Sequence, residues 1–236
     1  MRNYLMIDGV DSRDMGLYIS GTGTYNSPAI AYTAQSIPGR SGDLLGLEWR
    51  MENVELTYPA FVFGADFSGK MEALRAFLLS REGYFRLADT YHPEEFRQAY
   101  FPGPLQADVT SVRDAGAFDL TFICKPQRWL LSGEQVTTLT EDGRISNPTN
   151  FASRPLLRVY GSGRLSVGSS IVTISTSDPY TDIDCDIMDA SYQGANRNGN
   201  ITLSGNDFPV LRSGNTGVTL GEGITRVDIT PRWFTV

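Results

Sequence analysis

Short runs of alternating apolar and polar residues dominate the first half of the chain. Residues 4–20 contain two such runs, broken by Asp-Gly and Asp-Ser turns, and this pattern predicts a β-hairpin at the start of the fold. Further along, Val54, Leu56 and Tyr58 alternate with polar residues. A period of two is expected of a strand with one buried face, so this segment is predicted to be such a strand.

A long hairpin is predicted between these segments. Two strand-like runs, residues 29–37 and 44–63, are separated by Pro-Gly-Arg-Ser-Gly-Asp at residues 38–43. Proline and glycine favour tight turns, so residues 38–43 are predicted to form the tip of a hairpin or an excursion from the fold.

One segment, residues 68–81, has helical periodicity. Met71, Leu74, Phe77 and Leu78 fall on one stripe, and a serine or aspartate at the start can cap the amino end. A helix of this length is marginal alone, so its apolar face is expected to pack on a sheet.

The second half shows no helical periodicity. Residues 132–152 are rich in small polar residues and proline, which is typical of a connecting hairpin and linker. Beyond them, short strand-like runs recur over about 80 residues with Gly, Asn, Ser or Asp between them, and this spacing predicts a β-sandwich. The runs are residues 156–160, 164–167, 171–175, 181–188, 200–203, 217–220 and 225–234.

Together these patterns predict a mainly β protein with two β-sandwich domains. Residues 1–133 form the first, with one α-helix at about 68–81 and a long hairpin excursion, and residues 134–236 form the second, including a linker at 134–152. The composition agrees, because 24 Gly and 12 Pro in 236 residues suit many short strands joined by turns. A hydrophobic fraction of 41% excludes disorder as the main state.

The charge is acidic and evenly spread. The formal net charge is −7, with −4 in residues 1–133 and −3 in residues 134–236, and no segment is a basic cluster. Proteins that bind nucleic acid tightly neutralise its phosphates with clustered Lys and Arg, so tight binding of DNA or RNA is not predicted. Passage of DNA without specific binding remains compatible with this charge.

The cysteine usage is that of a reducing compartment. Cys124 and Cys185 both fall within alternating apolar patterns and are interpreted as reduced core residues. The apolar stretch before Asp8 is too short for a signal peptide, and no run reaches the roughly 18 apolar residues of a membrane span. We therefore expect synthesis in the cytoplasm and no membrane partner.

No catalytic residue, metal site or cofactor is predicted. His92 is the only histidine, and no Gly-x-Ser-x-Gly nucleophile motif accompanies it. One histidine and two distant cysteines do not make a zinc site. Glu94 with Glu95, or Asp182 with Asp184, are neighbours in sequence, which says nothing about the carboxylate separation that a glycosidase needs. The chain is therefore not expected to be an enzyme.

Residues 178–189 are the most acidic stretch. Its aspartates alternate with Ile183, Cys185 and Ile187. A calcium loop requires converging carboxylates around a turn, whereas strict alternation predicts a strand with one apolar and one acidic face. We favour the strand.

Aromatic residues in the second half suggest sugar binding as an alternative function. Tyr180, Tyr192 and Trp233 are candidates for stacking on a sugar ring, although aromatic residues in a β-sandwich are more often part of its core.

Several segments, taken in chain order, resemble the distal tail (Dit) proteins of phages with long, non-contractile tails. They are Asp-Gly-Val-Asp-Ser at residues 8–12, Pro-Gly-Arg-Ser-Gly-Asp at 38–43, Gly-Tyr-Phe-Arg-Leu-Ala-Asp at 83–89, Phe-x-Leu-x-Phe-x-Cys-x-Pro at 118–126 and Ile-Thr-Pro-Arg-Trp at 229–233. The order of the segments spans nearly the whole chain. Residues 147–149, Asn-Pro-Thr, depart from the glycine turn of that family.

The resemblance implies a structural protein of the virion tail tip, assembled in the cytoplasm of the bacterial host. Six copies would form a homo-hexameric ring that seats on the tail tube protein, holds tail-associated hub or fibre proteins on its other face and lets DNA pass. It implies that the first domain forms the ring and that the second is a galectin-like β-sandwich on the outside. No cofactor and no catalysis are implied.

The hairpin tip is the predicted ring interface, with Arg40 as its polar anchor on the neighbouring subunit. The proposed contact residues are Ile37, Pro38, Gly39, Arg40, Gly42 and Leu44. The alternative function is a carbohydrate-binding module that attaches to host cell-wall sugars through the aromatic residues of the second domain.

Overall fold

The computed structural model of the protein describes residues 2–21, 23, 26–106, 108–109, 115–205 and 207–236, with the backbone alone for residues 47, 49, 108, 109 and 115. The chain divides into two compact units, Met1–Arg128 with Val236, and Trp129–Thr235. The sequence predicts a boundary five residues later, after residue 133.

The first unit is built from strands and one α-helix. Its strands are β1 (Leu5–Ile7), β2 (Val10–Asp11), β3 (Leu17–Ile19), β4 (Ile30–Gln35), β5 (Leu44–Met51), β6 (Val54–Phe63), β7 (Phe85–Asp89), β8 (Glu95–Tyr100), β9 (Asp108–Val109) and β10 (Ala115–Leu130), and its helix is α1 (Phe67–Leu79). A short 3-10 helix, Ser12–Met15, joins β2 to β3.

One curled antiparallel sheet forms the body of this unit. Its strand order is β2-β1-β7-β8-β10-β6-β3, and β9 also pairs with β10. The longest ladder joins β6 to β10, from Phe63 opposite Ala115 to Val54 opposite Cys124. Alternate residues of these strands are buried, as the period of two predicts, and Phe122 lies at the centre of the core.

Helix α1 covers this core. Its Met71, Leu74 and Leu78 side chains are buried, which confirms the apolar stripe read from the sequence. Asp66 caps the amino end by accepting a hydrogen bond from the Gly69 N–H at 3.2 Å. The helix ends at Leu79, two residues before the predicted end, and Ser80 is its C-cap residue, with its N–H bonded to the Ala76 carbonyl.

The long hairpin is also present, but its return strand is broken. The sequence predicts one run over residues 44–63, whereas the structure divides it into β5 and β6 at Glu52 and Asn53. Strand β6 belongs to the main sheet, and β5 pairs with β4 in a separate two-stranded sheet. We call residues 29–52, which contain β4 and β5, the arm.

The second unit is built from short strands. They are β11 (Thr137–Leu139), β12 (Gly143–Asn147), β13 (Leu156–Gly161), β14 (Gly163–Val167), β15 (Ser170–Ile174), β16 (Tyr180–Asp184), β17 (Asp189–Tyr192), β18 (Ala195–Asn196), β19 (Ile201–Ser204), β20 (Gly214–Leu220), β21 (Ile224–Thr230) and β22 (Phe234–Thr235). Two further 3-10 turns are Leu131–Glu134 and Asn198–Asn200.

These strands make a β-sandwich. One sheet has the order β11-β21-β13-β16-β17-β18, and the other has the order β12-β20-β14-β15-β19. Leu157 and Ile183 of the first sheet and Leu165 and Val172 of the second are fully buried in one core, as expected of facing sheets. The mainly β fold class predicted from the sequence is confirmed.

Residues 134–152 are part of this sandwich rather than a linker. Strand β11 pairs with β21, and β12 pairs with β20, so both sheets begin within the segment interpreted as a connection. The polar composition misled the prediction because these strands lie at the edges of their sheets, where few apolar side chains are required.

Glycine allows two turns of this unit to meet. Gly161 has a φ of +99°, and a Cβ atom there would collide with the backbone of Gly223. The Gly-Ser-Gly sequence at residues 161–163 is therefore explained by close backbone packing, since it lies between two strands and starts no helix.

Both cysteines are unpaired and buried, one in each core. Burial raises the pKa of Cys124 to about 11 and that of Cys185 to about 12. The thiols are therefore protonated at neutral pH and act as small apolar side chains. Within the described residues, no helix has the length and hydrophobicity needed to cross a bilayer.

Candidate interaction surfaces

The arm leaves the body of the first unit between two paired strands. Ser20, just after β3, donates its N–H to the Pro59 carbonyl at 2.8 Å, and Glu52 donates its N–H to the Ala29 carbonyl at 2.9 Å to close the base of the arm. Beyond this base, β4 and β5 pair only with each other among the described residues. In the part of the chain that the structure describes, neither outer edge of the arm has a strand partner.

Large apolar side chains of the arm are in contact with solvent. Tyr32 is 61% exposed, Leu44 and Leu45 are each 56% exposed, and Ile30 is 46% exposed. A two-stranded hairpin without a core is marginal in water, and clustered exposed apolar residues mark an interaction site. The arm has the features of an element that is completed by a partner.

The tip of the arm is a tight turn that presents Arg40. The Arg40 N–H donates to the Ile37 carbonyl at 3.2 Å, and Gly39 between them has a φ of +78°. Proline at the second position and glycine with positive φ at the third are the residues that a type II turn favours. In the described part of the chain, no carboxylate pairs with the Arg40 guanidinium.

The six predicted interface residues, at positions 37–44, all lie in this turn or directly after it. Ile37 is half-buried, and the other five are exposed. The nearby exposed residues Tyr32 and Leu45 were missed, because the sequence pattern by itself does not distinguish an apolar residue of a core from one that faces solvent on a free hairpin.

A second apolar surface lies at the edge of the main sheet. Tyr18 of β3 stacks on Phe61 of β6 at a centroid distance of 5.7 Å and lies 5.1 Å from Phe63, and the Arg2 guanidinium lies 4.3 Å from the Phe63 ring centre. These three rings are half-buried, and Phe61 and Phe63 alternate with core residues of β6. We call Tyr18, Phe61 and Phe63 the edge cluster. In the sequence, the edge cluster could have been recognised from large aromatic residues at the outward positions of a strand.

His92 lies in the turn that follows β7. Its backbone N–H donates to Asp89 Oδ1 at 2.8 Å, and its Nδ1 lies 3.3 Å from the same oxygen. Asp89 Oδ2 accepts a hydrogen bond from the buried Tyr58 hydroxyl at 2.7 Å. The adjoining cavity, about 20 Å³, has room for about one water molecule and not for an organic substrate.

Three of the four candidate carboxylates, Glu95, Asp182 and Asp184, are held in ion pairs. Glu95 pairs with Arg128 at 3.2 Å, and Asp182 pairs with Arg158 at 2.7 Å. Among the described residues, no group of three or more His, Cys, Asp or Glu side chains is placed to hold a metal ion.

The predicted acidic strand is shorter than expected. Strand β16 ends at Asp184, and the chain then turns, so the alternation of residues 178–189 does not continue to Ile187. Ile187 is 70% exposed and Met188 is 53% exposed, with a φ of +57° at Met188. The prediction of a strand through residue 188 is wrong because its last two apolar residues occupy the hairpin turn instead of the core.

Asp184 instead anchors the last segment of the chain. Arg232 donates from Nη1 to Asp184 Oδ1 at 2.6 Å and from Nη2 to Oδ2 at 2.8 Å. This two-fold contact lowers the pKa of Asp184, chiefly through the hydrogen bonds from Arg232. Trp233, which follows Arg232, is only 5% exposed and packs in the core of the sandwich.

We expect Asp184→Asn to lower the free energy of unfolding at pH 7 by about 1.5–3 kcal/mol, the usual value of hydrogen bonds to charged groups. The folded-state pKa of Asp184 is below its unfolded value, so its contribution is present above about pH 4 and is lost as the pH falls further. The difference in the free energy of unfolding between wild type and variant should therefore become smaller as the pH falls. Urea unfolding at pH 7 and pH 3, followed by tryptophan fluorescence, measures it.

Asp11→Asn is the matched control. Asp11 pairs with Arg13 at 2.6 Å, but the Arg13 side chain is 45% exposed, and asparagine still caps the short helix that follows. A loss at Asp11 equal to that at Asp184 would contradict a special role for the Arg232 contact.

Tyrosines of the second unit line the outward face of one sheet. Tyr160 of β13 and Tyr180 of β16 are opposite each other in the ladder, with ring centroids 5.9 Å apart. Tyr192 of β17 meets Tyr180 edge to face at 4.9 Å. All three are half-buried. The structure thus brings together two of the three predicted sugar contacts and adds Tyr160, whereas the burial of Trp233 removes its ring from any ligand.

No family model matches the sequence, and no curated protein sequence matches it significantly. The fold is similar to that of the SPP1 phage Dit protein, described as a paradigm of the hub adsorption apparatus in phages that infect Gram-positive bacteria. The TM-score is 0.76 with 16% sequence identity over 100% of both chains. The phage P2 baseplate in its activated conformation gives TM-scores of 0.48 over 97% of both chains, with 10% identity for the calcium form and 9% for the strontium form. The resemblance to Dit proteins noted in the sequence is confirmed at the level of the fold.

Proposed function

We propose that this protein is a structural subunit of a phage tail tip. Six copies, the number that the resemblance to Dit proteins implies, form a ring at the end of the tail tube. One face of the ring seats on the tube, and the other holds the hub or receptor-binding proteins. The similarity to the SPP1 Dit protein over the full length of both chains supports this proposal.

The exposed arm is the observation that carries the proposal. Its Tyr32, Leu44 and Leu45 side chains are more than half exposed, and within the described residues neither of its strands pairs with the main sheet. Because an apolar hairpin of this kind is stabilised by burial, the arm is best explained as a contact with a neighbouring subunit.

The edge cluster is the proposed receiving surface. It lies on the same unit as the arm but consists of different residues, so an arm that binds the edge cluster of its neighbour makes a head-to-tail contact. A head-to-tail contact repeated by rotation closes into a ring. In this arrangement Arg40, at the tip, meets a carboxylate or a backbone carbonyl of the neighbour.

The charge pattern suits a conduit for DNA. The protein carries a net charge of −7, and arginines such as Arg158, Arg226 and Arg232 are already paired with carboxylates. A negative net charge repels the phosphate backbone, which favours passage of DNA without tight binding. The proposal includes no catalytic step.

Solution mass combined with negative-stain images tests the ring. We expect a species of six times the 26.0 kDa chain mass and ring-shaped class averages. A protein that stays monomeric at high concentration, and also in the presence of the tail tube protein, would contradict the proposal.

A further inference from the structure

Two transverse rows of side chains cross the outward face of the second unit's six-stranded sheet. In one row, Arg226, Tyr160 and Tyr180 are neighbours on β21, β13 and β16. In the next row, Asp228, Arg158 and Asp182 are neighbours on the same three strands. The first row is aromatic, with an arginine at one end, and the second is wholly polar. We call these six residues the platform.

The charged groups of the platform are fixed in place. Arg158 donates from Nε to Asp182 Oδ1 at 2.7 Å and from Nη2 to Oδ2 at 3.0 Å. Arg226 donates in the same way to Asp228, at 2.8 and 2.7 Å. Bidentate pairs of this kind restrict both side chains, so little conformational entropy is lost when a ligand binds beside them.

The arginines also pack on the tyrosine rings. The Arg158 guanidinium lies 4.4 Å from the centre of the Tyr180 ring, and that of Arg226 lies 5.0 Å from the centre of the Tyr160 ring. The Tyr160 hydroxyl donates to Asp228 Oδ2 at 3.3 Å. The rings are therefore held by their neighbours while part of each remains accessible.

The platform has the chemistry of a surface for neutral sugars. Its two arginines and two aspartates cancel, so it has no net attraction for a polyanion or a polycation. An aromatic row beside a row of fixed donors and acceptors matches a ligand that has an apolar C–H face and a hydroxyl edge. A sugar ring has both, because its C–H bonds stack on tyrosine and its hydroxyls exchange hydrogen bonds with Arg–Asp pairs.

From this arrangement we propose that the platform, with Tyr192 at its margin, binds a neutral glycan. The surface is an open sheet face rather than a pocket, so it suits a chain of sugars that contacts several side chains, with modest affinity for each unit. This inference does not depend on ring formation, although a ring would display several platforms and strengthen attachment through multivalency.

Titration of the full-length protein with soluble, neutral oligosaccharides of glucose, galactose and N-acetylglucosamine tests the proposal. Carboxylated oligosaccharides of equal length serve as the charged comparison, and isothermal calorimetry gives the affinity per site. We expect binding of at least one neutral series, with affinity that increases with chain length and exceeds that of its charged counterpart.

Variants of Tyr180 connect the binding to the platform. Tyr180→Ala removes the ring and should weaken binding roughly tenfold or more, whereas Tyr180→Phe keeps the ring and should stay within about threefold of wild type. Tyr32→Ala is the matched control, since it removes an exposed tyrosine from the arm and should leave the affinity per site unchanged. Thermal unfolding confirms that each variant is folded.

Three results would overturn the proposal. They are the absence of binding by every neutral series, tighter binding of the carboxylated series, and unchanged binding by a folded Tyr180→Ala variant. If the Tyr32→Ala variant no longer forms rings but still binds glycan, only the role of the arm is affected. The experiments therefore distinguish an error in the ring hypothesis from an error in the glycan hypothesis.

Discussion

Replacing both Leu44 and Leu45 by aspartate should convert assembled rings into folded monomers. The two leucines are each 56% exposed and begin β5, directly after the tip of the arm. Full burial of a leucine contributes about 1.5–3 kcal/mol, and 56% of each side chain remains to be buried, so losing two at each subunit contact weakens association by roughly a hundredfold, before the cost of burying two carboxylates is added. The measurement is solution mass by light scattering over a range of concentrations.

The body of the protein should tolerate this change. Neither leucine belongs to the core of either unit, so the thermal unfolding temperature of the monomer should stay close to that of wild type. Deletion of residues 37–44 is a coarser form of the same experiment and should also leave a folded monomer.

Ile187→Asp with Met188→Asp is the matched control. These residues are 70% and 53% exposed in a turn of the second unit, so the control places the same two charges on exposed apolar positions outside the arm. Aspartate also tolerates the positive φ of Met188. Rings should persist in this control. If rings persist in the Leu44 and Leu45 variant as well, the arm is not the ring contact.

The periodic parts of the fold were predictable from the sequence. The helical stripe of α1 and the alternation in β6 follow from local spacing, and both are confirmed to within a few residues. In each case a buried face imposes a pattern on the sequence, and that pattern is readable without knowing the partner strand.

Segments with few regularly alternating apolar residues were harder to predict. Strand β5 contains Leu44 and Leu45 side by side, and both are exposed, so no period of two separates it from β6. Residues 134–152 form edge strands with few apolar side chains, and they were read as a linker for that reason.

The candidate surfaces were predictable only in part. The tip of the arm is formed by a local turn, and the six predicted contact residues all lie within residues 37–44. The platform depends on the register of β13 with β16 and β21, which places Tyr160 beside residues 20 and 66 positions later in the chain. Register is set by pairing across the whole sheet, so Tyr160 was missed and the buried Trp233 was included in its place.

Replacing Phe122 by alanine should cause the largest loss of stability among substitutions in the first unit. The Phe122 ring is fully buried and lies edge to face with Tyr58, Phe85 and Phe101, at centroid distances of 6.3, 6.1 and 5.9 Å. Truncation of a core phenylalanine costs about 3–5 kcal/mol, because the transfer free energy of the ring is lost and a cavity remains. That cost is a large fraction of the 5–15 kcal/mol by which proteins of this kind are usually stable.

Hydrogen exchange read by mass spectrometry can locate this loss. We expect protection to fall most in β6, β7 and β10, whose side chains pack around the Phe122 ring, and to fall less in the second unit, because Phe122 has no part in the core of the sandwich. Ile123→Ala is the control, since Ile123 is the next residue on β10 but is only half-buried, and it should cost about 1 kcal/mol or less. Equal losses in the two variants would mean that the cluster of aromatic rings around Phe122 does not hold the sheet together. A larger loss for Phe122, centred on β6, would show that the ring cluster stabilises the ladder of β6 with β10, which runs over ten residues. Because β6 directly follows the base of the arm, the arm is then attached to a part of the sheet that this cluster stabilises.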